Sequence, residues 1–180
     1  MDMKKIKIFA ITGSTRNNSS NYKLLKFISE QIKDSFEVEI FEGLAQLPHF
    51  NPDLDTENLP EEVVSFRNKI AKADGVIICT PEYVFSLPGS LKNALEWCVS
   101  TTIFSGKKVG LITASASGEM GHEQLILIMK TLEANLKEET QLLISGIRGK
   151  INENGEITNV ETSDNLKNFI HHYENQFSVS

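Results

Sequence analysis

Short apolar, β-branched runs alternate with amphipathic helical runs about five times along this chain, and that alternation constrains the fold more than any other feature. Residues 5–12 (KIKIFAIT) read as a buried strand. Residues 21–33 carry Leu24, Leu25, Ile28 and Ile32 at helical spacing, the pattern of a helix covering one sheet face. Residues 36–41 (FEVEIF) alternate strictly, as a strand with a more solvated face does. Pro60, Glu61 and Glu62 open a helix to about Ala73, because proline suits the first turn and acids suit the positive end of the dipole. Residues 75–80 (GVIICT) are the most continuously apolar run, expected at the centre of a parallel sheet. A helix from Pro88 to about Val99, a strand over 109–114 and a long helix over about 120–136 follow. A last strand over 141–147, a polar loop over 149–158 and a closing helix over 164–177 complete the series. Such alternation implies right-handed crossovers, hence an α/β three-layer sandwich with helices on both faces of a parallel sheet. Without a repeat, low-complexity tract or linker, residues 1–180 read as a single domain large enough to bury its own core.

The composition, 40% hydrophobic and 23% charged, is ordinary for a soluble globular protein. A net charge of −6 argues against nonspecific nucleic-acid binding and gives no support to an anionic membrane surface as partner. No apolar run approaches the length of a bilayer span, and the first five residues lead straight into a strand pattern. Cys79 and Cys98 lie in apolar segments without C-x-x-C spacing, so buried free thiols and a reducing, cytoplasmic setting are expected. His49, His122, His171 and His172 do not cluster with acids or cysteines at ligand spacing, and no metal is assigned. The connection 42–60, with three prolines, reads as a functional loop or a surface lid, and the acids between Asp53 and Glu62 as a solvated face.

In open α/β sheets, ligands bind beyond the carboxyl ends of the strands, where the winding reverses. Three turns fall at that edge, residues 13–21, 81–86 and 115–118. In the first, Gly13 permits a sharp bend, the hydroxyls of Ser14, Ser19 and Ser20 can donate, and the free amides of a helix start favour an anion. Arg16 adds a charge whose fork fits phosphate. An ordinary capped loop, with Ser20 or Asn21 as the cap, would use similar residues. Arg16 and the second turn favour a phosphate cradle. Neither G-x-G-x-x-G nor G-x-x-x-x-G-K-[ST] occurs, so a terminal monophosphate suits it better than a bridging pyrophosphate. Residues 81–89 (PEYVFSLPG) are too apolar for a solvated loop. They form either a stiff, flat wall for a planar heterocycle or a turn packed on a neighbouring loop or subunit. A monophosphate cradle beside a flat wall points to flavin mononucleotide.

These residues also carry a resemblance. Gly13, Ser14, Arg16, Ser19 and Asn21 match a G-S-x-R-x-x-S-x-N turn. Pro81 to Tyr83, Ser86, Pro88, Gly89, Leu91 to Ala94, Glu96 and Trp97 match P-E-Y-N-x-S-x-P-G-x-L-K-N-A-x-[DE]-W. Residues 47–54 (LPHFNPDL) resemble L-P-x-[FY]-x-x-D-L. Over most of its length the chain thus resembles the NADPH-dependent FMN reductase family, the flavodoxin-like quinone, azo-compound and chromate reductases. The resemblance implies a flavodoxin-like five-stranded sheet of order 2-1-3-4-5, noncovalent FMN, and NADPH or NADH as reductant. It further implies a small-molecule electron acceptor and a homodimer, in some members paired into a homotetramer.

Physical argument and resemblance together put Ser14, Arg16, Ser19, Ser20 and Asn21 on the phosphate. They put Pro81, Glu82, Tyr83 and Val84 along the isoalloxazine ring, mainly through backbone groups, and Ser115 near the ring's other end. Hydride passes directly between nicotinamide and flavin, so no catalytic side chain is assigned. Glu82 reads as a carboxylate that fixes backbone amides or a subunit neighbour rather than a general acid. Three positions depart from the family's pattern: Val84 stands where Asn is usual, Gly121-His122-Glu123 where Gly-Gly-Arg is common, and Phe85 has no fixed counterpart. A flavodoxin-like electron carrier, or a regulatory FMN-binding protein without efficient NAD(P)H turnover, is the alternative function. Arg16 weighs against the carrier, whose phosphate loop is normally richer in threonine and glycine.

Overall fold

The computed structural model describes residues 5–178. Its elements alternate as β1 (Ile6–Thr12), α1 (Ser20–Ile32), β2 (Phe36–Phe41), α2 (Glu61–Lys72), β3 (Gly75–Thr80), α3 (Gly89–Glu96), β4 (Lys108–Ser115), α4 (Glu119–Thr131), β5 (Asn135–Ser145) and α5 (Val160–Asn175). All strand pairs are parallel and the order is β2-β1-β3-β4-β5, a flavodoxin-like arrangement.

The period of two along each strand divides the core in two. Ile8, Ala10, Ile77, Cys79 and Ile112 pack with Leu24, Leu25 and Ile28 of α1 and with Leu166, Phe169 and Tyr173 of α5. Phe9, Ile11, Val76, Ile78 and Leu111 pack on the other face with Phe66 of α2, Leu91 of α3 and Leu125 of α4. Each such large apolar side chain contributes roughly 1.5–3 kcal/mol by leaving water. Every residue of β3 is buried, as expected of the central strand.

Helix boundaries differ from the expected ones where a local hydrogen bond decides. The cap of α1 is Ser19, not Ser20 or Asn21: its Oγ accepts the Tyr22 amide at 3.2 Å. α4 stops five residues short of Leu136, because Glu133 turns left-handed (φ 60) and the Ala134 amide reaches back to the Met129 carbonyl at 3.0 Å. β5 therefore starts at Asn135. It carries a bulge, with Leu136 opposite Val109 but Gln141 opposite Leu111. α5 starts at Val160 because Asn159 Oδ1 accepts both the amide and the hydroxyl of Thr162 at 2.8 Å.

The 42–60 connection is strapped down rather than lid-like. The Pro48 carbonyl accepts from Asn93 Nδ2 (3.0 Å) and Trp97 Nε1 (2.8 Å), and Asn93 Oδ1 accepts the Phe50 amide at 2.7 Å. Asp55 is not part of a solvated acidic face. Its side chain is largely buried, 2.9 Å from Arg67 Nη2, while Arg67 Nε donates to the Trp97 carbonyl at 2.6 Å. Burial pushes the Asp55 carboxyl up, but the Ser100 hydroxyl and the hydrogen bond and charge of Arg67 together hold it below its usual value. No described helix is long and apolar enough to cross a membrane.

Candidate active site

Register brings the strand ends level: Thr12 lies beside Cys79, Thr80 beside Thr113, and Ser115 beside Ser145. The turns leaving β1, β3, β4 and β5 consequently share one edge, where they enclose a cavity of about 600 Å³. Small-molecule and cofactor sites span roughly 300–1,000 Å³.

The β1 turn is held tightly against β3. The Gly13 amide donates to the Cys79 carbonyl at 2.8 Å, and a Cβ at Gly13 would sit 2.1 Å from Thr80 Oγ1. Only glycine allows that approach. Ser14 and Ser19 are buried, and each Oγ accepts one backbone amide, from Arg16 and Tyr22, at 3.2 Å. Each hydroxyl proton remains free to donate. The amides of Ser20 and Asn21 open α1 and have no acceptor within the helix. Thr12 Oγ1, at the end of β1, is buried without a partner. Asn21 has a different part: Nδ2 donates to the Ala114 carbonyl and Oδ1 accepts from Cys79 Sγ, both at 3.2 Å. It pins the start of α1 onto β3 and β4.

The β3 turn is braced from α4. Glu82 Oε1 accepts the Gly118 amide at 3.2 Å and Oε2 the Gly121 amide at 2.8 Å, while Ser115 Oγ donates to the Glu82 carbonyl at 3.2 Å. Tyr83 and Ser86 exchange amide–carbonyl bonds of 2.9 and 3.1 Å across a two-residue turn. Val84 (φ 53) and Phe85 (φ 57) are both left-handed there, as a type I′ turn requires. A β-branched residue in that region costs roughly 1–3 kcal/mol. Gln124 offsets part of this cost, donating to the Phe85 carbonyl (3.1 Å) and accepting from Ser86 Oγ (2.6 Å). Val84, 94% exposed, and Phe85, 72% exposed, project into solvent. His122 lies behind the wall, its Nδ1 2.9 Å from Thr113 Oγ1; burial lowers its pKa, against the opposing pull of Glu123.

The sequence pattern of the NADPH-dependent FMN reductase family matches residues 6–148. The chain belongs to that family. It is 31% identical to a 2-hydroxy-1,4-benzoquinone reductase from Burkholderia, over 93% of this chain and 94% of the relative. It is 33% identical to an NADH-dependent flavin reductase subunit from Lactobacillus johnsonii, over 87% of this chain and 89% of the relative. Its fold resembles that of a flavoenzyme NAD(P)H:(acceptor) oxidoreductase from Paracoccus denitrificans, with a TM-score of 0.83 at 24% identity, covering 94% and 96% of the two chains. The protein is thus an FMN-dependent NAD(P)H oxidoreductase.

In this FMN reductase, Ser14, Arg16, Ser19, Ser20 and Asn21 line one part of the cavity and Pro81, Glu82, Tyr83 and Ser115 another. Val84 does not line it. The donor set fits a flavin monophosphate: two buried hydroxyls with free protons, helix-start amides, and a guanidinium without an ion pair among the described residues. The Glu82 carboxylate fixes two backbone amides, the role expected of it. Sequence reasoning missed the β5 turn, where Gly146, Ile147, Arg148 and Gly149 complete the lining. A signal was present, since Ser-Gly-Ile-Arg-Gly repeats the small-residue-plus-arginine character of the first turn at the end of another strand.

Proposed function

We propose that FMN sits in this cavity with its phosphate in the 13–21 turn and its ring along Pro81, Glu82 and Tyr83. The observation that carries the reading is the convergence of a hydroxyl- and arginine-bearing turn and a stiff apolar turn on one 600 Å³ space. When bound, FMN supplies the hydride chemistry between reduced nicotinamide and acceptor. The chain supplies the rest. Arg16, Ser14, Ser19 and the first amides of α1 hold the phosphate. Ser115 and Glu82 keep the ring wall in place, and Asn21 fixes the position of the cradle. Tyr83, Val84 and Phe85 form an apolar rim that offers stacking area but few donors, which favours flat quinone or azo acceptors over small anions.

The protein works as a cytoplasmic homodimer in this reading. Support for the reducing setting comes from two buried free thiols, Cys79 and Cys98, and support for the homodimer from the face of α3 and α4. There Phe50, Leu95, Val99, Ile128 and Leu132 border an apolar groove of about 270 Å³, and Leu127 stands 66% exposed. Heat release of the bound flavin followed by chromatography tests the cofactor assignment. FMN should predominate, and FAD as the main species would overturn it.

A further inference from the structure

The chain has three arginines among 18 basic residues, Arg16, Arg67 and Arg148. Arg67 is committed to Asp55. The other two both line the same cavity, both are exposed, and neither has an ion pair among the described residues. In a protein of net charge −6, two unpaired guanidinium groups at one cavity are a local exception to the prevailing sign.

Arg148 is held on a defined support. It follows Gly146, whose left-handed φ of 66 turns the chain out of β5, and Ile147, which is buried. The Gly146 amide donates to the Ala116 carbonyl at 3.0 Å, tying this turn to the one after β4. Beyond it, the Thr158 amide returns to the Lys150 carbonyl at 2.9 Å, and Lys23 Nζ of α1 donates to the Asn152 carbonyl at 3.3 Å. The loop that carries Arg148 is therefore fastened to α1, the helix whose start forms the cradle.

We propose that Arg148 is the second cation of the phosphate site, meeting from the β5 turn the same FMN phosphate that Arg16 meets from the β1 turn. This rests on the reading of the cavity as the FMN site. A phosphate monoester carries close to two negative charges at neutral pH. One arginine leaves such a group partly unbalanced, whereas two guanidinium forks from separate loops neutralise it and fix its orientation. Arg148 would thereby set the preference for a phosphorylated flavin over riboflavin.

The test is calorimetric titration of the full chain, freed of flavin, with FMN and separately with riboflavin. Wild type, Arg16→Ala, Arg148→Ala and Arg148→Lys are compared, with circular dichroism to verify folding. Arg148→Ala should weaken FMN about ten- to a hundredfold, as expected for a charge-assisted contact, and leave riboflavin unchanged. Arg148→Lys should recover part of the loss and stands in for the alanine variant if that one does not fold. FMN affinity equal to wild type in both Arg148 variants would overturn the proposal, as would an equal loss for FMN and riboflavin. An unchanged FMN affinity with a raised KM for NADPH but not NADH would overturn it too, assigning Arg148 to the nicotinamide dinucleotide. Failure of the wild type to prefer FMN over riboflavin would instead remove the phosphate reading of the cavity itself.

Discussion

Glu82 Oε2 lies 2.8 Å from the amide of Gly121, joining the turn after β3 to the first turn of α4. The bond favours a small residue at Gly121, since a Cβ there would meet Glu82 Cβ at 3.2 Å and push that side chain back by a few tenths of an ångström. It makes the β3 turn and α4 one mechanical unit, and it occupies the carboxylate that would otherwise be the obvious proton donor at the cavity.

Glu82→Gln should therefore keep the bell or plateau of the kcat–pH profile, because a carboxylate that only holds backbone amides moves no proton, and the glutamine oxygen still accepts one of the two N–H groups. Glu82→Ala leaves two part-buried amides without an acceptor and should lower stability by about 1–3 kcal/mol and weaken FMN binding. Urea melts and steady-state pH profiles check both. Loss of one limb of the profile in Glu82→Gln would show that this carboxylate moves a proton.

Val84→Asn replaces a β-branched residue in the left-handed region by one that tolerates it, on a side chain that buries nothing. The variant should raise the urea midpoint, by a stabilisation of about 1 kcal/mol. Turnover with a quinone, an azo dye and ferricyanide should change more than the FMN dissociation constant. Lost FMN binding with unaltered acceptor preference would mean that Val84 faces the cofactor.

Arg67→Ala strands the Asp55 carboxylate in a largely buried setting and should cost roughly 3 kcal/mol at neutral pH. Because the folded Asp55 pKa lies below its model-peptide value of 3.8, the contribution of the pair is present above that pH and lost as pH falls through the folded value. The gap between wild type and variant should thus narrow in acid. A gap that stayed constant from neutral pH down to the acid transition would assign the effect to packing against Trp97 instead.

The α3–α4 face gives the fourth prediction. Light scattering should find about twice the chain mass of 20.1 kDa at micromolar concentration, and Leu127→Glu, which puts a charge on that face, should shift the equilibrium toward monomer. A wild-type monomer with full reductase activity would contradict the homodimer reading.

Most of the fold was legible because the strands that matter are short apolar runs whose period leaves no other burial: β3 is apolar up to Thr80 and buried throughout, and α1 repeats leucine and isoleucine every three to four residues. The α4–β5 junction was not, since Glu133 in a left-handed turn gives no glycine signal and the Lys-Glu-Glu-Thr bulge hides the start of β5. Long-range pairings were equally silent. Asp55 looks like one acid of several until Arg67, twelve residues on, reaches it, and Arg148 looks like surface until the sheet sets its turn on the cavity that Arg16 also lines. The grouping of Ser14, Arg16, Ser19, Ser20 and Asn21 at one cavity was legible because they sit within nine consecutive residues.

Anaerobic mixing of the FMN-loaded protein with NADPH or NADH, followed by the visible flavin absorbance, tests the central claim most directly. A two-electron relay through one cavity predicts rapid bleaching on addition of one equivalent of reductant and full recovery when a quinone is added. Bleaching no faster than that of free FMN in the same buffer would contradict it, and would leave a flavin-binding protein that does not turn over nicotinamide.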